Sequence, residues 1–285
     1  MNNLNFIQRI NSRYTILSKG RKRIADFILN SVENAAQMTA LSLAERNGVS
    51  EATVVRFATD LDYNGFPEFQ KALRQYVSSK LTATQRIEFT NINLNPEEIL
   101  PYVFNSDINK LKNTLTSIDR QSFDNSIKSI LSAKKIYIVG VRSASYIAGF
   151  LGFNLKFMFD NVETVTANAI TDIFEQIVDI NKDDVIIGIS FPRYSRRTVN
   201  VLKYARDCGA TVIALTDSKN SPLNEFADYS LLAMSDMASF ADSLVAPLSL
   251  INSLIVTLAL KKSEEVSSKF LKLEKIWDEY DVYDK

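Results

Sequence analysis

The stretch LSLAERNGVSEATVVRFATDL, residues 41–61, decides the fold of the N-terminal part of the chain. Its second half repeats apolar residues at positions i, i+3, i+4 and i+7, the spacing of one buried helix face. The residues of this face are Val54, Phe57, Ala58 and Leu61. Gly48 can adopt the left-handed conformation that ends the preceding helix, small Ala44 lets the two helices approach closely, and Ser50 is a good N-cap for the second helix. The stretch therefore predicts a helix-turn-helix.

The outward face of the second helix is predicted to enter the major groove of double-stranded DNA, with its N-terminal residues nearest the base edges. The candidates are Ser50, Glu51, Ala52, Thr53 and Arg56, and Arg56 is the residue expected to contact a guanine or a phosphate. Upstream, four cations crowd the start of another helix, where the helix dipole does not favour them: Lys19, Arg21, Lys22 and Arg23. The phosphates of the DNA backbone would neutralise these four cations. A helical bundle with a solvated Arg56 is the alternative that these residues leave open.

The composition excludes several classes of function. The chain has 285 residues, 33 Lys+Arg, 33 Asp+Glu, no His and one Cys, Cys208. Ser-His-Asp and Cys-His triads, His-ligated metals and an internal disulfide are therefore excluded. We expect a cytoplasmic protein with no signal peptide, no metal and no cofactor. The longest apolar stretch, 244–260, is interrupted by Pro and polar residues, so a core helix is expected there and no membrane partner.

Charge and hydrophobic pattern both divide the chain. Residues 1–86 carry a net charge of +5, whereas the remainder carries −5. From Lys19 to about Val77 the apolar spacing is helical. From about residue 136, short β-branched runs alternate with helix-length segments, which predicts a doubly wound α/β domain with a five-stranded parallel sheet joined to the all-α head. The predicted strands start at Ile136, Val162, Val185, Val212 and Tyr229. The predicted divisions are 1–77 (DNA-binding), 78–105 (linker), 106–262 (sensor) and 263–285 (charged tail).

Two strand-to-helix loops of this sheet have the chemistry of an anion site. Ligands of open α/β sheets bind beyond the carboxyl ends of the strands, where Gly140–Ser145 and Ser190–Ser195 lie, the first followed by a helix from about Tyr146. Hydroxyl groups at a helix N-terminus suit an anion, and Arg193, Arg196 and Arg197 add positive charge that disfavours a helix start unless something negative joins it. Three sources of this negative charge stay open, namely a small anionic ligand, a neighbouring carboxylate and a second subunit.

The segment GVSEATVVRFATDLDYNGFPEFQKAL, residues 48–73, resembles the N-terminal domain of the RpiR family of bacterial transcriptional regulators. Residues 106–262 resemble the SIS (sugar isomerase) domain that follows it in that family. The resemblance implies that Ser50, Glu51, Thr53 and Arg56 face operator DNA, that two such domains read a palindromic site, and that the SIS domain dimerises through its helices and binds a phosphosugar by loop hydroxyls. It also implies a third wall of the site at residues 239–243.

The sequence departs from the family pattern at four positions. Asp62 stands where the family usually has Gly, Arg142 and Ala144 replace a Gly and a Ser of the first loop, and Pro192 replaces a Ser of the second loop. Arginines are therefore expected to take over part of the anion binding. The predicted effector-binding residues are Arg142, Ser143, Ser145, Ser190, Arg193, Ser195, Arg196 and Ser243.

These observations predict a regulator that binds operator DNA, senses a small phosphorylated sugar to control sugar-metabolism genes, and forms a homodimer or a dimer of dimers. The alternative is a phosphosugar isomerase-like enzyme. Isomerisation needs a shielded general base, the chain has no His, and Asp242 is the acidic residue nearest the loops. We therefore assign no catalytic residue. A purely structural adaptor would leave both the recognition-type helix and the hydroxyl-rich loops unexplained.

Overall fold

The computed structural model describes residues 6–80, 84, 87, 99–165, 170–235 and 241–283. The chain divides into two compact units, residues 1–95 and 96–285. Helical structure enters the predicted linker 78–105 from both sides, because the last helix of the first unit continues to Lys80 and the next helix begins at Ile99.

The first unit is helical, as the apolar spacing predicts. Its helices are α1 (Phe6–Arg13), α2 (Lys19–Asn30), α3 (Val32–Gln37), α4 (Ala40–Asn47), α5 (Glu51–Asp60) and α6 (Phe66–Lys80), with a 3-10 turn at Tyr14–Ile16. The core includes Phe57 of α5, whose ring meets that of Phe69 of α6 edge to face at 5.6 Å between centroids. Such aromatic pairs add stability beyond the area that they bury.

Helices α4 and α5 form the predicted helix-turn-helix. Gly48 has φ 59° and ψ 46°, the left-handed conformation that ends α4, and the Val49 N–H donates to the Ala44 carbonyl at 3.0 Å across the turn. The Ser50 hydroxyl caps α5 by accepting the Thr53 N–H at 3.3 Å. The four residues of the apolar face of α5, Val54, Phe57, Ala58 and Leu61, are fully buried. Local signals thus fix both the turn and the buried face.

The second unit is the predicted doubly wound domain. Its elements are α7 (Ile99–Ser117), α8 (Arg120–Ser132), β1 (Ile136–Gly140), α9 (Ser143–Leu155), β2 (Val162–Val165), α10 (Ile170–Gln176), β3 (Val185–Ile189), α11 (Arg196–Asp207), β4 (Thr211–Thr216), a 3-10 turn (Pro222–Glu225), β5 (Tyr229–Leu232), α12 (Val245–Lys261) and α13 (Ser263–Glu279). The five strands are parallel in the order β2-β1-β3-β4-β5. The strand order reverses between β1 and β3.

Helices cover both faces of the sheet, which explains why the central strands are continuous apolar runs. In β1, Ile136 and Ile138 point to the side packed by α8, α9 and α12. Tyr137 and Val139 point to the opposite side, packed by α10 and α11. A hydrophobic core therefore packs against each face of the sheet. This packing fixes the carboxyl ends of the strands, from which the loops leave.

The apolar stretch 244–260 forms the core helix α12, with Ala246, Leu250, Ile251, Leu254 and Leu258 buried. The segment predicted as a charged tail continues as α13, which turns by 95° from α12. Among the described residues no single helix is long and apolar enough to cross a membrane, although α12 and α13 taken together would meet that test.

Candidate functional site

The outward face of α5 carries the predicted DNA-reading residues. Glu51, Ala52 and Arg56 are exposed, and Thr53 is half-buried. The Thr53 hydroxyl lies 2.9 Å from the Ser50 hydroxyl, so the cap and its neighbour form one small polar group at the N-terminus of the helix. Within the part of the chain that the structure describes, the Arg56 guanidinium has neither a hydrogen bond nor an ion pair. This face is therefore available to a nucleic acid.

The basic cluster at the start of α2 divides into two kinds of residue. Lys19 is exposed, and the Lys22 ammonium lies 5.5 Å from the centre of the Tyr14 ring. By contrast, Arg21 forms an ion pair with Asp60 of α5, and Arg23 donates to the Gly48 carbonyl at 3.0 Å. These two arginines hold α2 against the helix-turn-helix, a role that the charge pattern alone does not reveal.

The departure at Asp62 coincides with a left-handed residue. Asp62 has φ 64° and follows α5 in a Schellman motif, in which the Asp62 N–H donates to the Thr59 carbonyl at 3.0 Å and the Tyr63 N–H to the Ala58 carbonyl at 3.1 Å. This conformation favours Gly, and Asp is among the few other residues that tolerate it. The Asp62 carboxylate also pairs with Arg13 at 2.6 Å, an interaction that a glycine would lack.

The two anion-type loops lie side by side at the point where the strand order reverses. Gly140 at the end of β1 is in register with Ile189 at the end of β3, so the loops leave neighbouring strands about 5 Å apart. A Cβ at Gly140 would stand 2.5 Å from the Ala144 carbonyl oxygen, which means that glycine lets α9 start close to the sheet. Crevices of this kind are the ligand sites of doubly wound folds.

In the first loop the arginine that replaces the family glycine has an unusual backbone. Arg142 has φ 59° and ψ −129°, a region that non-glycine residues occupy only at a cost of about 1–3 kcal/mol. The Ser145 hydroxyl donates to the Arg142 carbonyl at 2.6 Å. Helix α9 begins at Ser143, three residues earlier than the predicted Tyr146, because Ser145 already makes the first-turn bond to Arg142. Ser143 and Ser145 therefore belong to the first helical turn.

In the second loop, two serines form the floor. Ser190 is only 4% exposed, its hydroxyl accepts the Ser195 N–H at 3.0 Å, and its carbonyl accepts the Thr216 hydroxyl at 2.8 Å. Ser195 caps α11 by accepting the Thr198 N–H at 3.4 Å. In the described segments both serine hydroxyls act as acceptors, so each keeps a proton for a ligand.

Arginines surround this floor. Arg193 is exposed and has φ 65°, so each of the two loops contains one arginine with a positive φ. Arg196 and Arg197 are exposed in the first turn of α11. Positive charge thus gathers at a helix start that already favours an anion.

Tyr194 fastens the second loop to the end of β4, a contact that the sequence analysis missed. Its hydroxyl donates to Asp217 Oδ1 at 2.8 Å. Burial, together with the Asp217 charge, raises the pKa of the Tyr194 hydroxyl far above its ordinary value. Tyr194 therefore stays protonated and keeps donating its hydroxyl hydrogen bond to Asp217.

The predicted third wall is described only in part, since Ser239 and Phe240 lie outside the described residues. Ser243 donates to Asp107 Oδ1 of α7 at 2.7 Å, and Asp107 accepts from Lys110 Nζ at 3.2 Å. Lys110 is 4% exposed and also reaches the Ser106 hydroxyl at 2.7 Å. These four residues form one polar cluster between α7 and the segment before α12, in which the Ser243 hydroxyl bonds to a protein group.

Among the described residues, no three His, Cys, Asp or Glu side chains are grouped so that they could hold a metal ion.

Comparisons with known proteins agree with both units. Residues 4–80 match the helix-turn-helix domain of the rpiR family, and residues 129–257 match the SIS domain. Together with the fold, these matches define the class of protein, a helix-turn-helix transcriptional regulator rather than an enzyme. An HTH-type transcriptional regulator of Haemophilus influenzae is 30% identical over 230 residues, covering 80% of this chain and 79% of its own length. The chain belongs to the RpiR family.

Two solved structures share the fold. The RpiR transcription factor of Sphaerobacter thermophilus (sugar isomerase domain) is 26% identical, with a TM-score of 0.59 over 62% of this chain and 99% of its own. The Vibrio vulnificus NanR protein, solved in complex with ManNAc-6P, is 21% identical, with a TM-score of 0.59 over 97% of this chain and 99% of its own.

Proposed function

We propose that this regulator acts in the bacterial cytoplasm, reads operator DNA through α5 as a homodimer or a dimer of dimers, and controls sugar-metabolism genes in response to a phosphosugar. The observation that carries the proposal is the crevice between β1 and β3, where two loops on neighbouring strands each present serine hydroxyls and a positive-φ arginine, Arg142 or Arg193.

The DNA-binding part rests on the free face of α5. Arg56 is exposed and stands about one turn before the end of the short helix α5. The N-terminus of this helix carries the small residues that can approach base edges. A guanidinium suits a guanine or a phosphate because it offers several donors in a planar fork. Lys19 and Lys22 supply further positive charge for the DNA backbone.

The effector part rests on charge and backbone strain together. Arg142 and Arg193 have positive φ angles, which cost free energy in a residue other than glycine, and both are exposed. They lie in two loops that leave neighbouring strands, and the second loop also carries the hydroxyls of Ser190 and Ser195. An anion bound by these groups would offset the charge gathered at two helix starts. NanR, which shares the fold, is solved with a phosphorylated amino sugar. A phosphosugar is therefore the effector class that we propose, with Arg142 taking over contacts that a hydroxyl makes elsewhere in the family.

The homodimer is proposed on the exposed apolar surface of the sensor unit. On α9, Tyr146 is 80% exposed and Phe153 is 63% exposed, and on α12 Leu260 is 73% exposed. Isolated exposed apolar residues are normal, but large aromatic side chains gathered on packed helices mark interaction surfaces. A second copy of the chain is the partner implied by the family resemblance. Replacing Phe153 with Asp should shift the molecular mass in sedimentation towards the monomer, whereas Val178→Asp, at an exposed site off these helices, should not.

The effect of the effector on DNA affinity follows from the thermodynamic linkage between the two binding events. An effector changes DNA affinity only to the extent that it binds one arrangement of the dimer better than another. Two recognition helices can engage together when the half-sites lie about one helical turn of DNA apart, or a multiple of it. A change in the spacing of the two heads is therefore sufficient to alter operator affinity.

The experiment for DNA binding compares Arg56→Ala with Lys71→Ala, which removes one positive charge from the exposed surface of α6. If Arg56 reads a base, its loss should cost about 1–3 kcal/mol of affinity for the operator. The Lys71 variant should bind close to wild type. Equal, unchanged affinities for both variants would remove Arg56 from the interface.

The experiment for effector binding is a thermal-shift screen with phosphorylated sugars and amino sugars, ManNAc-6P among them. A binding phosphosugar should raise the Tm of wild type, and the rise should disappear in the Arg142→Gln, Arg193→Gln variant. Lys203→Gln, an exposed cation on α11, should retain the full shift. A shift that survives loss of both arginines would place the effector elsewhere.

A further inference from the structure

The C-terminal end of the recognition helix α5 is held by arginines of α1, a helix that lies far from it in sequence. Arg9 Nη1 donates to the Leu61 carbonyl at 3.0 Å and Arg13 Nη1 to the Asp60 carbonyl at 2.5 Å. Both carbonyls belong to the last turn, whose oxygens have no partner within the helix. Cations at this end are favoured by the helix dipole.

Further contacts attach α1 to the turn that follows α5. Arg13 Nη2 pairs with the Asp62 carboxylate at 2.6 Å, and the Arg9 guanidinium lies 4.8 Å from the centre of the Tyr63 ring. A carboxylate at the negative end of a helix is unfavourable, and the Arg13 guanidinium offsets part of that cost at Asp62. The two arginines thus make an ion pair, two hydrogen bonds to carbonyl oxygens and a cation–π contact with the end of α5 and the turn that follows it.

A third arginine approaches the same turn from α2. Arg21 pairs with the Asp60 carboxylate, and its Nε donates to the Ser18 hydroxyl at 3.0 Å. The end of α5 is therefore held from α1 and from α2, while its opposite end presents the residues proposed to read DNA.

We propose that Arg9 and Arg13 are positioning residues for DNA recognition, which fix the direction of α5 without themselves contacting DNA. Helix α5 has 10 residues and is about 15 Å long. A tilt of about 5° at its held end would move its N-terminus by about 1.3 Å over that length. Hydrogen bonds to base edges do not survive such a displacement, whereas ion pairs with phosphates tolerate it because they depend weakly on geometry. Loss of the arginines should therefore reduce sequence discrimination more than total affinity.

The experiment uses the full chain and two duplexes, one selected by wild type from a random pool and one with the same bases scrambled. The Arg9→Gln, Arg13→Gln variant should lose at least tenfold in the affinity ratio between the two duplexes. Its salt dependence on the scrambled duplex should equal that of wild type. Lys71→Gln, a charge-removing control on α6, should leave both quantities unchanged.

A contrasting result would come from direct phosphate contacts. Each lost contact lowers the slope of log affinity against log salt by about 0.9, so a slope lower by about 1.8 with an unchanged ratio would overturn the proposal. An unchanged ratio and slope would overturn it as well.

A conservative variant separates positioning from folding. Arg9→Lys, Arg13→Lys keeps both charges but loses the fork geometry that reaches two acceptors at once, so it should lose part of the ratio at an unchanged slope. If the Gln and Lys variants both lose part of the helical circular dichroism of the full chain and bind neither duplex, the arginines serve the fold alone and the proposal fails. The proposal rests on DNA reading by α5, so failure of wild type to select any duplex would refute that function and this inference together.

Discussion

Replacing Asp107 with Asn should destabilise the sensor unit by about 3 kcal/mol, because it removes the carboxylate that pairs with the buried Lys110 ammonium. Lys110 Nζ lies 3.2 Å from Asp107 Oδ1, a separation that gives an attraction of about 5 kcal/mol at an effective dielectric constant of about 20. Breaking a buried pair from one side costs about 3–5 kcal/mol. The low end applies here, since the Asp107 side chain retains 20% exposure and the Ser106 hydroxyl stays beside the ammonium.

The assay is urea unfolding followed by tryptophan fluorescence. The chain has one Trp, Trp277, whose ring packs against Phe270 and Tyr283 in the sensor unit, so the signal reports this unit and not the DNA-binding head. With an m-value of about 3 kcal/mol/M, the expected loss lowers the urea midpoint by about 1 M.

Two further variants test the reasoning. Lys110→Met removes the buried charge itself and leaves the Asp107 carboxylate, which is 20% exposed and keeps its bond from the Ser243 hydroxyl, so it should cost less than Asp107→Asn. Adding Asp107→Asn to Lys110→Met should cost little more. The argument would be refuted if Asp107→Asn alone cost under 1 kcal/mol, or if Lys110→Met proved equally destabilising.

Three other predictions concern local conformation and titration. Asp62→Gly should change the thermal stability of the head by less than about 1 kcal/mol, because relief of the left-handed strain offsets the lost pair with Arg13; Asp62→Ala, which keeps the strain, should be the less stable of the two. Gly140→Ala should cost about 1–3 kcal/mol in urea unfolding, because its Cβ would meet the Ala144 carbonyl oxygen at 2.5 Å, and a neutral effect would contradict that contact. Wild type should lose stability as the pH rises above about 10, since the unfolded chain then releases a proton that folded Tyr194 retains; Tyr194→Phe should weaken this decline, and identical pH profiles would count against it.

Much of the fold could be predicted because its signals are local. Gly48 and Ser50 act within a few residues of their own positions, one through its backbone conformation and the other through a hydrogen bond to Thr53. Strands β1, β2, β3 and β5 begin at the predicted residues because β-branched runs between turns carry their own signal. The same reasoning found the two anion-type loops, since a strand end followed by hydroxyls and a helix start is a contiguous pattern.

The remaining features depend on contacts between distant parts of the chain. Ser243 meets Asp107 across 136 residues, and no pattern in either segment indicates the other. Helix α1 escaped prediction because it has few apolar residues, and its Phe6 gains its partner, Tyr76, only in the folded unit, at 4.7 Å between ring centroids. The positive φ of Arg142 is likewise invisible in composition, since only the resemblance to a family glycine hints at it.

The structure of the crevice between β1 and β3 bears on how the proposed effector could act at a distance. Its floor is already complete, because the Ser190 carbonyl accepts from Thr216 and the Ser190 hydroxyl accepts from Ser195. Its rim carries two exposed arginines with positive φ, Arg142 and Arg193, which are the groups proposed to bind the anion. Arg142 directly precedes α9, the helix that carries Tyr146 on the proposed dimer surface. An effector that changes the conformation of Arg142 therefore acts on the first turn of the helix through which, on this proposal, one protomer meets the next.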